Sequence, residues 1–299
     1  MSRLEVATAR IKKILTRTSG FLKTVCSHSL QPYRGCSFGN ALCGVGCYVQ
    51  HNAYLTRGQP WGSFLEVREN AAEAYRAECE GERRWARSHR GAFKIFMSSS
   101  TDPFLPQERR FRITRSVLKA MLDYPPDLLI VQTHSHLVTD ALDLYPALAS
   151  RFEVRFHISI ETDRESIPAL PPHATPLSKR FEAAAALKQA GLHVVITVSP
   201  LLPIADPDTF FARIAEVADA VVIDHFIEGD GTADGRRTWR TPVPAACQKL
   251  EPRSIGLAYR DEMAAVASRY LPGRVGINID GFAGRFGSRL CQNPREREP

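Results

Sequence analysis

Five short apolar-rich runs recur along the chain, and helical spacing separates most of them. "AFKIFMSSS" (92–100), "DLLIVQTHS" (127–135), "LHVVITVSPLLP" (192–203) and "AVVIDHF" (220–226) hold nearly continuous apolar runs that give way to polar residues, and "FEVRFHISIE" (152–161) is a strand-like run in which apolar residues alternate with polar ones. Runs of that length predict strands buried on both faces, as in a parallel sheet covered by helices. The intervening stretches 106–125, 137–151, 176–191 and 206–219 read as helices. In 106–125, for example, Ile113, Val117, Leu118 and Met121 fall on one face. A strand over 26–32 and a helix over 63–90 complete six β/α units. The predicted fold is α/β, a partial (β/α)6 barrel. Its chemistry is expected at the carboxyl ends of the strands, where Ser98 to Asp102, Thr133 to Ser135, Ser159 to Asp163, Ser199 and Asp224 to His225 lie.

Beyond residue 228 the pattern changes. "EGDGTADGRRTWRTPVP" (228–244) reads as an exposed loop, 254–273 as a final helix and 274–279 as a short strand. The expected organisation is an N-terminal extension (1–27), a core (28–228) and a C-terminal extension (229–299). No apolar stretch reaches the length of a membrane span, and the basic N-terminus lacks the apolar run of a secretory signal. A cytoplasmic protein with no membrane partner is expected.

Composition adds little until the cysteines are placed. The 299 residues are 44% hydrophobic, with a net charge of +7, which permits a polyanionic partner without requiring one. Seven unevenly spaced cysteines argue against a secreted disulfide scaffold. Three of them, Cys36, Cys43 and Cys47, fall in one glycine-rich loop, "QPYRGCSFGNALCGVGCYVQHN" (31–52). A structural zinc wants four ligands, usually in two short pairs. An iron–sulfur cluster normally also takes four thiolates, and with three it leaves one iron open to a ligand. Buried free cysteines are the remaining reading.

The block "PYRGCSFGNALCGVGCYVQ" resembles the cluster loop of radical S-adenosylmethionine (SAM) enzymes, specifically the spore photoproduct lyase-like family. "SSSTDPFLPQERRFRITRSVL", "IVQTHSHLVTDALDLY", "FHISIETD" with "PLSKRFEAAAALKQAG", and "PLLP" are similar, in order, to later blocks of that family, so the resemblance runs over about residues 30–226. The usual spacing is Cys-x3-Cys-x2-Cys, whereas this loop reads Cys36-x6-Cys43-x3-Cys47, four residues longer.

The resemblance implies a partial barrel of the radical SAM type. Cys36, Cys43 and Cys47 would hold a 4Fe-4S cluster that cleaves SAM to a 5′-deoxyadenosyl radical. Thr101 and Ser159 fall where the family's lyase places serines near SAM, and His134 where a lysine commonly sits. Arg180 is expected to pair with the SAM carboxylate, and Glu161 to accept from a ribose hydroxyl. A one-electron reductant such as flavodoxin or ferredoxin is implied as partner. Family analogy adds lyase chemistry and DNA repair, with a DNA lesion as candidate substrate. Arg236, Arg237, Trp239 and Arg240 combine charge with a stacking surface that suits nucleic acid.

Ser99 stands where the lyase carries a hydrogen-donating cysteine, and a serine O–H bond is too strong for that role. Cys247 or Cys291 could supply a thiol instead. Two alternatives stay open. One is a zinc-stabilised nucleic-acid-binding protein on a decayed radical SAM scaffold; the other is a radical SAM enzyme acting on a small molecule or protein side chain.

Overall fold

A computed structural model describes residues 4–287. In chain order its strands are β1 (Glu5–Ala9), β2 (Leu15–Arg17), β3 (His28–Leu30), β4 (Tyr33–Gly35), β5 (Phe64–Arg68), β6 (Lys94–Met97), β7 (Leu128–Thr133), β8 (Glu153–Ser159), β9 (His193–Val198), β10 (Ala220–Ile223) and β11 (Val275–Ile277). Eight of them make one sheet in the order β11-β10-β9-β8-β7-β6-β3-β2. The six expected strands, β3 and β6 to β10, pair side by side in parallel. The short strand expected near 274–279 is β11, which extends the sheet in parallel beyond β10. β2 closes the other end antiparallel to β3. The sheet is open, so the partial barrel expected from six units is the architecture observed.

Alternation along each strand separates two faces. Leu129 and Val131 of β7, Val194 and Ile196 of β9, and Val221 and Ile223 of β10 belong to the main core under the helices. Each fully buried side chain of this kind contributes about 1.5–3 kcal/mol. The opposite parity faces the hollow of the barrel. There Phe96, Ile130, Val195 and Val222 form an apolar floor with Phe282. Two residues further along the same faces come Ser98, Gln132, Thr197 and Asp224. The strands therefore turn from apolar to polar as they approach their carboxyl ends.

Several elements differ from the sequence reading. The expected helix 63–90 opens as strand β5 and becomes helical only over Ala71–Arg90. β5 pairs with β1 and β4 in a second, three-stranded sheet. The stretch 106–125 is two helices, Glu108–Phe111 and Ile113–Asp123, broken where Arg112 takes a left-handed φ of 52°. The stretch 137–151 holds a 3-10 turn, His136–Ala141, and a short helix, Tyr145–Ala149. Residues 228–244 are not simply an exposed loop. Asp230, Thr238, Thr241 and Val243 are buried, because Asp230 accepts from Thr232 N at 2.9 Å and Thr238 N at 2.8 Å and folds the segment on itself.

Candidate functional site

A cavity of about 230 Å³ opens at the carboxyl ends of the parallel strands. The small sheet positions the cysteine loop over it. Arg34 of β4 donates to Glu66 Oε2 of β5 at 2.9 Å and to the Leu55 carbonyl at 2.8 Å, tying the loop's entrance down. Gly35 follows with φ 82°, and a side chain there would meet Phe64; only glycine suits that crossing.

The lengthened spacing has a structural basis. Residues 37–41 form a turn, with Gly39 N donating to Cys36 O at 3.1 Å and Ala41 N to Phe38 O at 2.9 Å. A helical turn, Leu42–Val45, follows. Cys43 lies within that turn, and Cys47 follows it in extended conformation, with Cys47 N donating to Gly44 O at 3.1 Å. All three thiols line the cavity, whereas Cys26 and Cys247 do not. Cys26 lies below the site beside Val25 and Phe96, and Cys291 lies outside the described residues. Burial pushes the Cys36 thiol up to about 12 and the Cys47 thiol up to about 11, and raises Cys43 well above its ordinary value. Among the described residues, no group of three His, Cys, Asp or Glu side chains converges tightly enough to grip a metal ion.

The sequence-derived SAM contacts separate into two layers. Thr101, His134 and Glu161 line the cavity. Thr101 Oγ1 donates to the Gly35 carbonyl at 2.5 Å, linking the end of β6 to the cysteine loop. His134 is set by Asp102, whose Oδ2 accepts from His134 N at 2.7 Å and whose Oδ1 accepts from Thr133 Oγ1 at 2.7 Å. Asp102 thus pins the end of β7 and caps its own turn through Phe104 N at 2.8 Å; it does not cap the helix that follows.

Ser159 and Arg180 lie behind this layer and are not among the cavity-lining residues. Ser159 Oγ is 3.0 Å from Thr197 Oγ1, within the sheet. Arg180 is 1% exposed. Its guanidinium donates to Glu161 Oε2 at 2.8 Å and to the carbonyls of Ser159 at 2.8 Å and Thr175 at 3.1 Å.

Comparison with known proteins places this geometry. No protein-family model matches the sequence. An uncharacterized protein of Methanocaldococcus jannaschii is 25% identical over 206 residues, 68% of this chain and 70% of its own. A spore photoproduct lyase mutant with bound AdoMet and dinucleoside spore photoproduct aligns with a TM-score of 0.59, over 92% of this chain and 81% of that one, at 16% identity. A second mutant of the lyase, with dinucleoside spore photoproduct, gives 0.60 at 14% identity over the same shares. The chain has the spore photoproduct lyase-like radical SAM fold.

Within this radical SAM fold, the sequence reading missed several parts of the cavity. Gln132 and Phe38 lie inside blocks that carry the resemblance but had no role assigned, and Trp61 lies outside those blocks; all three line the cavity. Ser98, expected at a strand end, is the first residue past β6 and holds a left-handed φ of 73° that the sequence does not mark; a non-glycine residue in that conformation is strained and marks a constrained turn. The second half of the wall, Gly229 to Gly231 with Thr238 and Val243, comes from the segment expected to be an exposed loop. Of its charged and aromatic residues, Arg236, Arg237, Trp239 and Arg240 are exposed, and Trp239 packs edge-on against Phe226 with ring centroids 5.2 Å apart. No helix among the described residues is long and apolar enough to cross a membrane.

Proposed function

We propose that the chain is a radical SAM enzyme in which Cys36, Cys43 and Cys47 hold a 4Fe-4S cluster and SAM occupies the cavity beside Thr101, His134 and Glu161. One observation carries the reading: these six side chains line a single cavity at the strand ends of a fold shared with spore photoproduct lyase. The donor set suits a cluster better than a zinc ion. A tetrahedral ion needs its ligands convergent on one point, and these thiols do not converge so tightly. A cluster takes each thiolate on a different iron, which suits thiols spread over a loop. Ligation takes thiolates, so loading such a group is coupled to pH.

When bound, cluster and SAM would supply one-electron cleavage of the sulfonium to a 5′-deoxyadenosyl radical. The chain's own residues bind and orient. Glu161 presents a carboxylate to donors such as a ribose hydroxyl, and Arg180 holds that carboxylate from behind. His134 is fixed at its backbone by Asp102. Phe38, Leu42 and Trp61 exclude water from the same wall. The electron comes from a one-electron donor such as flavodoxin or ferredoxin, and the six free cysteines of the described residues suit a reducing, cytoplasmic setting.

A DNA lesion is the substrate suggested by resemblance, and the exposed Trp239 with Arg236 and Arg240 would be its stacking surface. The cavity itself does not favour a phosphodiester, because no lysine or arginine lines it. In "ERRFRITR", Arg109 and Arg115 are already paired with Asp140 and Asp143. Reduction of the reconstituted protein with dithionite in the presence of SAM tests the reading. Release of 5′-deoxyadenosine is expected; a fully loaded, reduced protein that leaves SAM intact contradicts it.

A further inference from the structure

The cavity wall carries four carboxyl groups, Asp102, Glu161, Asp224 and Asp230. Three of them are matched by protein donors. Asp102 accepts from Thr133, Phe104 and His134. Glu161 pairs with Arg180, and Asp230 accepts from Thr232 and Thr238.

Asp224 is different. It is 4% exposed. Its Oδ2 accepts from Ser199 Oγ at 2.9 Å, and its Oδ1 has no hydrogen-bond partner. Gly229 packs so closely that a Cβ there would stand 2.6 Å from Oδ2. The same Cβ would stand 2.7 Å from Oδ1, so the chain covers one side of the carboxyl group, and Asp224 is also part of the cavity lining. Tyr48 and Phe226 supply aromatic surface on the same wall, and three further oxygens without a hydrogen-bond partner, Ser98 Oγ, Gln132 Oε1 and Glu161 Oε1 (the last beside the His134 ring), belong to cavity-lining residues. Arg260 acts on Asp224 through space but is itself paired with Glu228 and Asp261; a buried carboxylate without a direct counter-charge is unfavourable unless a cation reaches it, and aromatic faces add attraction for a cation. Burial pushes the Asp224 acid up to about 7, as expected for a group that still lacks its partner.

We propose that Asp224, oriented by Ser199, recognises a protonated nitrogen group (an amine, amidine or guanidine) on a small substrate. This rests on the cavity being the active site and names the substrate class for it: a small cation with hydrogen-bond donors, in place of a phosphodiester.

The test uses two planar probes of the same shape, benzamidine (cationic) and benzamide (neutral), titrated calorimetrically into the full chain. It is run before and after cluster reconstitution, so that failure of the cluster reading leaves the result readable. Benzamidine is expected to bind at least about tenfold more tightly than benzamide. Asp224→Asn should abolish that preference, and Ser199→Ala should reduce it in a chain that keeps its carboxyl group. With SAM added to the loaded protein, the preference should persist. Equal binding of the two probes, or an unchanged preference in Asp224→Asn, overturns the proposal. So does full displacement of benzamidine by SAM, which would assign the carboxylate to the cofactor.

Discussion

His134 Nε2 stands 2.7 Å from Glu161 Oε1, while the other oxygen of Glu161 accepts from Arg180 at 2.8 Å. One carboxylate therefore joins an imidazole at the cavity surface to a guanidinium buried behind it. Burial alone would raise the Glu161 acid, but the charges of Arg180 and His134 outweigh that and hold it well below the usual carboxylate range. The cavity keeps a fixed negative charge at the end of β8.

Removing the rear partner should be expensive. Arg180 and Glu161 are 1% and 2% exposed, respectively, and breaking a buried pair from one side costs about 3–5 kcal/mol. Arg180→Gln is expected to lower stability by that amount in urea unfolding. Adding Glu161→Gln should recover part of the loss, because the stranded charge is then gone. Equal urea midpoints for wild type and Arg180→Gln would show that the pair does not hold the site.

Cysteine substitutions should divide by location. Alanine at Cys36, Cys43 or Cys47 is expected to cut retained iron and 5′-deoxyadenosine formation by roughly a hundredfold or more. Alanine at Cys26 or Cys247, both outside the cavity lining, should leave iron content unchanged. The contrast is read by iron analysis on five purified variants. Retention of iron by Cys43→Ala would remove that residue from the set despite its place on the loop.

His157 gives the acid limb of stability a particular shape. It faces the apolar floor between Phe96 and Phe282, and burial, with a smaller effect of Arg155, pushes its pKa down to about 3. The unfolded chain takes up this proton below about pH 6.5, whereas the folded chain does not. Stability should therefore fall as pH drops from about 6.5 towards 3, by up to about 1.4 kcal/mol per pH unit from this group. His157→Leu should flatten that limb in urea unfolding at about pH 7 and pH 5; an unchanged slope would mean that His157 is protonated in place.

Asp224 acts at the other end of the scale. Its folded pKa of about 7 stands above the unfolded value of about 3.9. Its favourable contribution is fully present below the unfolded value and is lost as pH rises through 7. Asp224→Asn is thus expected to be more stable than wild type at about pH 8, by up to a few kcal/mol, with the gain vanishing near pH 4. A variant that is more stable and has lost its preference for a cation would be a carboxylate kept for binding at the expense of stability. No gain at about pH 8 would show that Asp224 is already compensated.

The parallel sheet was legible because several of its strands are apolar on both faces, as in Leu128 to Val131 and Val194 to Ile196. The five-residue strand Phe64–Arg68 was not. It runs directly into a charged helix, and its Phe64, Leu65 and Val67 also fit a helical turn; pairing with β1 and β4 decides the matter. The break at Arg112 depends on one left-handed residue that no local signal marks. In the site, the thiols, Thr101, His134 and Glu161 were visible as residue types at strand ends or in a loop. Arg180 was visible as a residue but not as a buried partner of Glu161, since a helix arginine reads as exposed until its face is known. Asp224 stood out only as a strand-end polar residue. Its unpartnered oxygen is a property of what surrounds it.

The most direct measurement is iron and sulfide analysis, with a visible spectrum, of protein purified and reconstituted without oxygen. A brown protein with about four irons and four sulfides per chain is expected. A colourless protein that holds zinc, or no metal, would contradict a cluster on Cys36, Cys43 and Cys47, and would favour a zinc-stabilised binding protein on this fold.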